Sequence, residues 1–212
     1  MQHMIRRLSA TLALATVFCS SGAMAATVTP VGYSFDQATA CGSWCYHDGS
    51  LTKLTDGVVG RAGWAVNDAA EWAGWVYQPV VNIDFTFAGV SSISEVSIGS
   101  TQDSLGDVAL PSFDVYAYES GGWALKGSLN NPASSANNVD AYSTAPHSFY
   151  TLSGLGIFSD KVRVAVKANG PWSFVDEVQF SDAAPVPEPE TGALLLAGLG
   201  VMQWVLRRRR SI

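Results

Sequence analysis

VVNIDFTF, residues 80–87, alternates without a break: Val81, Ile83, Phe85 and Phe87 are apolar, and Asn82, Asp84 and Thr86 between them are polar. Successive side chains of an extended chain point to opposite faces. The spacing therefore puts four hydrophobic groups on one face of a strand and leaves the other face polar. The pattern recurs in FDVYAYE (113–119), where Phe113, Val115 and Ala117 alternate with Asp114, Tyr116 and Tyr118, and in KVRVAVK (161–167), through Val162, Val164 and Val166. EVSIG (95–99) and FVDEVQF (174–180) read as further strands. Between them no stretch has helical periodicity, and GSLNNPASSANNVDAYSTAP (127–146) reads as a long polar loop. Short half-buried strands joined by Gly-rich turns predict an all-β fold, an antiparallel β-sandwich or jelly roll.

The two ends do not belong to that fold. Arg6 and Arg7 precede an apolar stretch from Leu8 to Phe18, and Ala23-Met24-Ala25 supplies a small-x-small site. This is the layout of a secretory signal peptide, residues 1–25, cleaved after Ala25. Phe18 is too bulky for the residue before a lipidated cysteine, so Cys19 is not read as a lipid anchor. Between residues 26 and 190 stand six basic residues and all 18 acidic ones, a net charge of about −12. Nucleic-acid binding rests on phosphate neutralisation, so such a surface excludes that class and favours cations and neutral ligands. After signal removal only Cys41 and Cys45 remain, and a close pair in an oxidising compartment reads as one local disulfide.

At the other end, Pro185, Pro187 and Pro189 hold the chain extended, Thr191 caps the next segment, and Gly192–Leu206 is apolar apart from Gln203. Fifteen helical residues span about 22 Å, short for a hydrocarbon core of about 30 Å, so this reads as a marginal transmembrane helix. Arg207, Arg208, Arg209 and Arg210 stay cytoplasmic and place residues 26–190 outside. Pro187-Glu188-Pro189, a short apolar helix and an arginine cluster at the extreme end resemble a PEP-CTERM sorting signal, over residues 185–212. The resemblance implies export in a Gram-negative bacterium that builds extracellular polysaccharide. It also implies transient anchoring in the inner membrane, processing by an exosortase-like enzyme, and a final place at the cell surface or in the matrix.

The intervening domain, 26–184, is similar to galactose-binding-like, discoidin-type jelly rolls. The resemblance rests on KLTDG (53–57), the strand IDFTF, GDVALPSFDVYAYESGGW (106–123), KVRVAV and GPWSFVDEVQF (170–180), in that order. It implies a structural calcium shared by the turn and the terminal-strand acid, held here by Asp56 and Glu177 with Asp176 as the substitute.

Catalytic patterns are missing: no G-x-S-x-G elbow, no H-E-x-x-H, and His47 and His147 lie in no catalytic motif. Asp176-Glu177 is a carboxylate pair, but adjacent strand residues point apart. The chain is therefore read as a non-enzyme. Aromatics lead instead, since their faces stack on sugar rings. Trp44, Tyr46 and Trp72 are the candidate ligand contacts, with CGSWCYHD (41–48) stiffened by the disulfide. For Trp44 and Tyr46, loop surface and packing stay open, and Trp64, Trp123 and Trp172 are read as core. The expected function is binding or structuring of extracellular polysaccharide. The alternative is a purely structural surface β-sandwich without a specific ligand.

Overall fold

The computed structural model describes residues 25–60, 63–65, 70–102, 107–133, 142, 147, 149–182 and 199. Its strands are β1 (Gly32–Phe35), β2 (Ala73–Val76), β3 (Val80–Gly99), β4 (Ser112–Glu119), β5 (Gly122–Leu129), β6 (Phe149–Lys167), β7 (Trp172–Val175) and β8 (Val178–Ser181). Five of them run in the order β1-β3-β6-β4-β5, and β8 pairs with the far half of β3 to complete a six-stranded sheet. The strands β2 and β7 form a second, two-stranded sheet, and every pairing between named strands is antiparallel. The fold is all-β.

Alternation in the sequence becomes rows in the sheet. Val81 pairs with Val166 and Val166 with Phe113; Ile83 with Val164 and Val164 with Val115; Phe85 with Val162 and Val162 with Ala117. All nine are buried, packed with Trp75, Ala73 and Val175 of the small sheet. Each large side chain so buried contributes about 1.5–3 kcal/mol, which fixes the register, because a slip of one residue would turn every row to solvent. The β4–β5 turn is Ser120-Gly121 with both residues at positive φ, 51° and 83°, the geometry that matches strand twist in a two-residue hairpin.

Three expectations change. EVSIG is not a separate strand, because β3 runs unbroken from Val80 to Gly99 and absorbs two register shifts, between Thr86 and Ser91 and between Ile93 and Glu95. The loop expected from Gly127 begins after Leu129, since Gly127–Leu129 still pair with β4. FVDEVQF is two strands in different sheets, broken at Asp176-Glu177. Strand geometry would have exposed one of these acids. The change of sheet buries both, at 0% and 5% exposure.

That crossing is held by Gly99, whose N–H donates to the Glu177 carbonyl while its carbonyl accepts from Asp176 N–H. A Cβ on Gly99 would run into Asp176 Oδ1 and come within 2.7 Å of the His147 ring. Gly99→Ala is expected to lower stability by about 2 kcal/mol or more in urea unfolding. Gly89→Ala, in the same strand and with open space around its Cβ, should change it by less than about 0.5 kcal/mol.

Candidate functional site

The small sheet has two sides. One faces the main core, and the other carries Phe174, which joins Tyr46, Trp72 and Val108 in a second buried cluster with Trp64 and Trp172 packed against it. Trp172 and Phe174 are stacked at 5.4 Å with planes 4° apart, and Trp64 lies nearly parallel to Phe174 at 6.2 Å. The result is an aromatic layer of three rings. Tyr46 meets Phe174 and Trp172 edge-on at 4.6 and 5.5 Å. Gly74 makes that approach possible, because a Cβ there would lie 2.6 Å from the Phe174 ring and 2.8 Å from Tyr46 Cβ.

Over this layer runs the loop from Ala40 to Tyr46. Its two ends are fastened to β2: Ala40 N–H donates to the Gly74 carbonyl, and Gly74 N–H donates to the Tyr46 carbonyl. Tyr46 N–H also donates to the Ala40 carbonyl, and Cys41 is bonded to Cys45. The continuation is pinned by Asp48, which accepts the Tyr33 hydroxyl and the Thr52 N–H, while Thr39 Oγ1 bonds His47 Nδ1 at 3.0 Å. Burial and the Asp48 bond push the Tyr33 hydroxyl well above its ordinary pKa, so it stays a donor.

At the tip, Trp44 is 54% exposed and touches Trp64 edge-on at 5.8 Å. On one side of it lies a recess of about 280 Å³, lined by Ala40–Trp44, Val76 and Trp172. On the other lies one of about 340 Å³, lined by Ser43–Tyr46, Trp64 and Ala65. Trp44 is thus a fin between two shallow recesses, each bordered by a tryptophan of the layer beneath. Tyr46 and Trp72 are corrected. At 2% and 0% exposure they are core residues, Tyr46 under Trp172 and Trp72 against Phe174 and His147, and neither presents a face to a ligand.

Two further residues here escape a reading of the sequence. Trp172 reads as core, yet its half-buried ring borders a recess. Tyr77 follows Val76, is 80% exposed, and sits at φ 54° with its N–H bonded to the Pro171 carbonyl. Left-handed backbone on a bulky residue is costly and marks a position imposed by its surroundings. No sequence signal announces it beyond the turn residues Gln78-Pro79 next to it.

The acids named for calcium lie elsewhere, around a cavity of about 390 Å³ that also takes in Thr55, Glu95 and Ser97. Asp56 Oδ1 accepts from Val58 N–H at 2.8 Å and Glu177 Oε2 accepts from Gly57 N–H at 3.2 Å. Burial pushes the Glu177 carboxyl up to about 7, partly offset by the Gly57 bond and reinforced by the charges of Asp56 and Asp176. Carboxylate oxygens are the donor type a hard cation such as calcium takes, and Asp56 and Glu177 supply two such groups to this cavity. Among the described residues no group of three or more His, Cys, Asp or Glu gathers around one point. In Asp176, expected as the substitute, Oδ2 is bonded to Gly60 N–H and to His147 Nε2, both at 2.5 Å, while Oδ1 is buried without a hydrogen-bond partner among the described residues.

Comparison with known proteins agrees at two levels. Residues 185–210 match the PEP-CTERM protein-sorting motif. The chain is an exported protein with a C-terminal membrane-anchoring sorting signal. Pro187-Glu188-Pro189, the apolar segment and Arg207–Arg210 lie outside the described residues, as does the signal peptide before Ala25. The exported domain resembles in fold a truncated AlyQ with CBM32 and alginate lyase domains, at TM-score 0.50 and 12% identity, over 76% of this chain and 34% of that one. It also resembles the C-terminal domain of a chitobiase from Bacteroides fragilis, at TM-score 0.50 and 10% identity, over 76% and 99%. The chain thus spans about a third of the AlyQ structure. No curated protein sequence matches it.

Glu177 makes stability pH-dependent with a definite sign. An unfolded glutamate loses its proton near 4.5 while the folded one holds it to about 7, so stability falls as pH rises through that window and is level above it. In a chelator, Glu177→Gln is expected to flatten this slope and to raise the thermal midpoint at pH 8 relative to wild type. Thermal melts from pH 4 to 8 check it.

Proposed function

We propose that the protein is a non-catalytic component of the bacterial cell surface or extracellular matrix that binds extracellular polysaccharide at the Trp44 fin. The observation that carries this reading is the half-exposed Trp44 on a loop closed by the Cys41–Cys45 bond and fastened to β2, with a recess on each side. A ring held in place before the ligand arrives binds without the cost of ordering it. Fold likeness to structures that contain carbohydrate-binding domains supports the same class of ligand. Some of those domains are parts of enzymes. Here no recognisable catalytic motif accompanies the fold, so the reading is of a binding module.

Asp56 and Glu177 would hold a structural calcium, which would supply the positive charge that the buried Glu177 otherwise lacks. Pro187-Glu188-Pro189 would be gripped outside the membrane by an exosortase-like enzyme, with Ala25 marking the other processed end. The mature domain would then stand in the polysaccharide layer of a Gram-negative cell.

Affinity electrophoresis of the exported protein through neutral polysaccharide tests the fin. Trp44→Ala is expected to abolish retardation and to shift the thermal midpoint by no more than about 2 °C, because the ring is exposed. If no polysaccharide retards the intact protein, the structural surface-protein alternative holds. Sorting has its own readout. Replacing Pro187, Glu188 and Pro189 by alanine should leave the chain unprocessed in the membrane, with Arg207–Arg210 still present by intact mass.

A further inference from the structure

We propose that the outer face of the large sheet is a second glycan site, built for a polysaccharide strand that carries carboxylates. The face lies on the side of the sheet opposite the core, and the register sets its rows. Thr86 and Lys161 stand opposite one another, as do Asp84 and Arg163, with Tyr116 beyond Arg163 and Tyr118 beside Trp123. A recess of about 540 Å³ reaches from Gly32 and Ser34 on β1 across Asp84, Thr86 and Lys161 to Tyr118 and Trp123. It crosses the sheet from one edge strand to the other.

Trp123, expected in the core from sequence, is on this face. The Arg163 guanidinium lies 4.3 Å above its ring, and Tyr118 meets it edge-on at 5.3 Å. Arg163 is itself clamped to Asp84 through two bonds of 2.6 and 2.8 Å. Trp123 is therefore held in a fixed orientation, one ring face under the guanidinium and the other left for a sugar. Charge selects the ligand. The basic residues between 26 and 190 are Lys53, Arg61, Lys126, Lys161, Arg163 and Lys167, and three of the six stand on this one face of β6. Arg163 is spent on Asp84, and Lys167 on Asp114 and Asn130 at 2.7 and 2.9 Å. Lys161 is exposed and lies 5.5 Å from the Tyr118 ring centre, with no carboxylate partner among the described residues. An acidic domain thus presents an unneutralised cation beside two aromatic rings at the edge of a trough.

Gly32 lines the recess at the β1 edge. A Cβ there would meet nothing within 4 Å, and its backbone is not left-handed, so packing does not demand glycine. What the missing side chain leaves open is the trough itself.

The test titrates the exported protein with size-defined oligogalacturonate and with its methyl ester, which lacks the charge, monitoring the Trp123 indole N–H by NMR and affinity by calorimetry. Oligogalacturonate should bind and shift the Trp123 signal, and the ester should bind at least tenfold more weakly. Gly32→Gln, which fills the trough without touching the core, and Trp123→Ala should each lower affinity at least tenfold. Lys161→Gln should cost more at low salt than at high salt. Trp44→Ala should leave oligogalacturonate affinity unchanged, so failure of the loop site and failure of this one are separable. Absence of oligogalacturonate binding, equal binding of the ester, or insensitivity to Gly32→Gln would overturn the proposal.

Discussion

Asp176 and Gly99 hold the molecule together at the point where its two sheets exchange a chain. The Gly99 carbonyl accepts from Asp176 N–H and the Gly99 N–H donates to the Glu177 carbonyl, bonds that carry the polypeptide from β7 in the small sheet to β8 in the large one, and the Val178 N–H to Leu54 carbonyl bond fastens the LTDG turn to the same crossing. Glycine at 99 is obligatory because the Asp176 side chain fills the space a Cβ would take. Everything on the outer side of the small sheet depends on this junction. Phe174 and Trp172 are oriented by the strand that enters it, and the Trp44 loop rests on them.

The junction is also where reading the sequence fails most instructively. FVDEVQF looks like one strand because Phe174, Asp176, Val178 and Phe180 share a parity with an acid among them. In the folded chain that acid is wholly buried, bonded to His147 and Gly60, partners 29 and 116 residues away. No local pattern encodes such partners. The rows Val81–Val166–Phe113, Ile83–Val164–Val115 and Phe85–Val162–Ala117 are legible, because period-two alternation is a local consequence of burying one face. For Trp44 the sequence leaves surface and packing open, and the fold exposes it. Tyr46, left open in the same way, and Trp72, read as a ligand contact, are both core, because neither aromatic carries a local sign that it packs against Phe174 on the outer side of the small sheet. Trp123 errs in the opposite direction, since a tryptophan opposite Tyr118 reads as core when both rings stand on the outer face.

Charge is legible as a sum and not as a distribution. An excess of acid over residues 26–190 suggests that no basic surface exists, yet strand geometry gathers Lys161, Arg163 and Lys167 on one face by spacing them two and four residues apart. Asp84 and Asp114 on the same face pair with Arg163 and Lys167, and the screening length in physiological salt is about 8 Å, so a ligand there feels Lys161 more than the acids on the far side of the sandwich.

The two aromatic surfaces differ in how they are made rigid, and the difference comes from where they sit. Trp44 lies on a loop, where a chain would otherwise sample many conformations. Its restraint is covalent, and closing so short a loop removes about 2 kcal/mol of unfolded-chain entropy in the loop-closure picture. Trp123 lies on a strand whose backbone is already fixed by pairing with β4, so only its ring needs holding, and a guanidinium clamped by Asp84 does that. A bond of the first kind survives any salt concentration, whereas the second weakens as ions screen the Asp84–Arg163 pair, which is only partly buried. If both surfaces bind, one domain would engage two polysaccharide strands, because the loop site lies over the small sheet and the trough on the outer face of the large one. A bivalent domain cross-links polymer even when each contact is weak, since the second contact forms at the high local concentration set by the first.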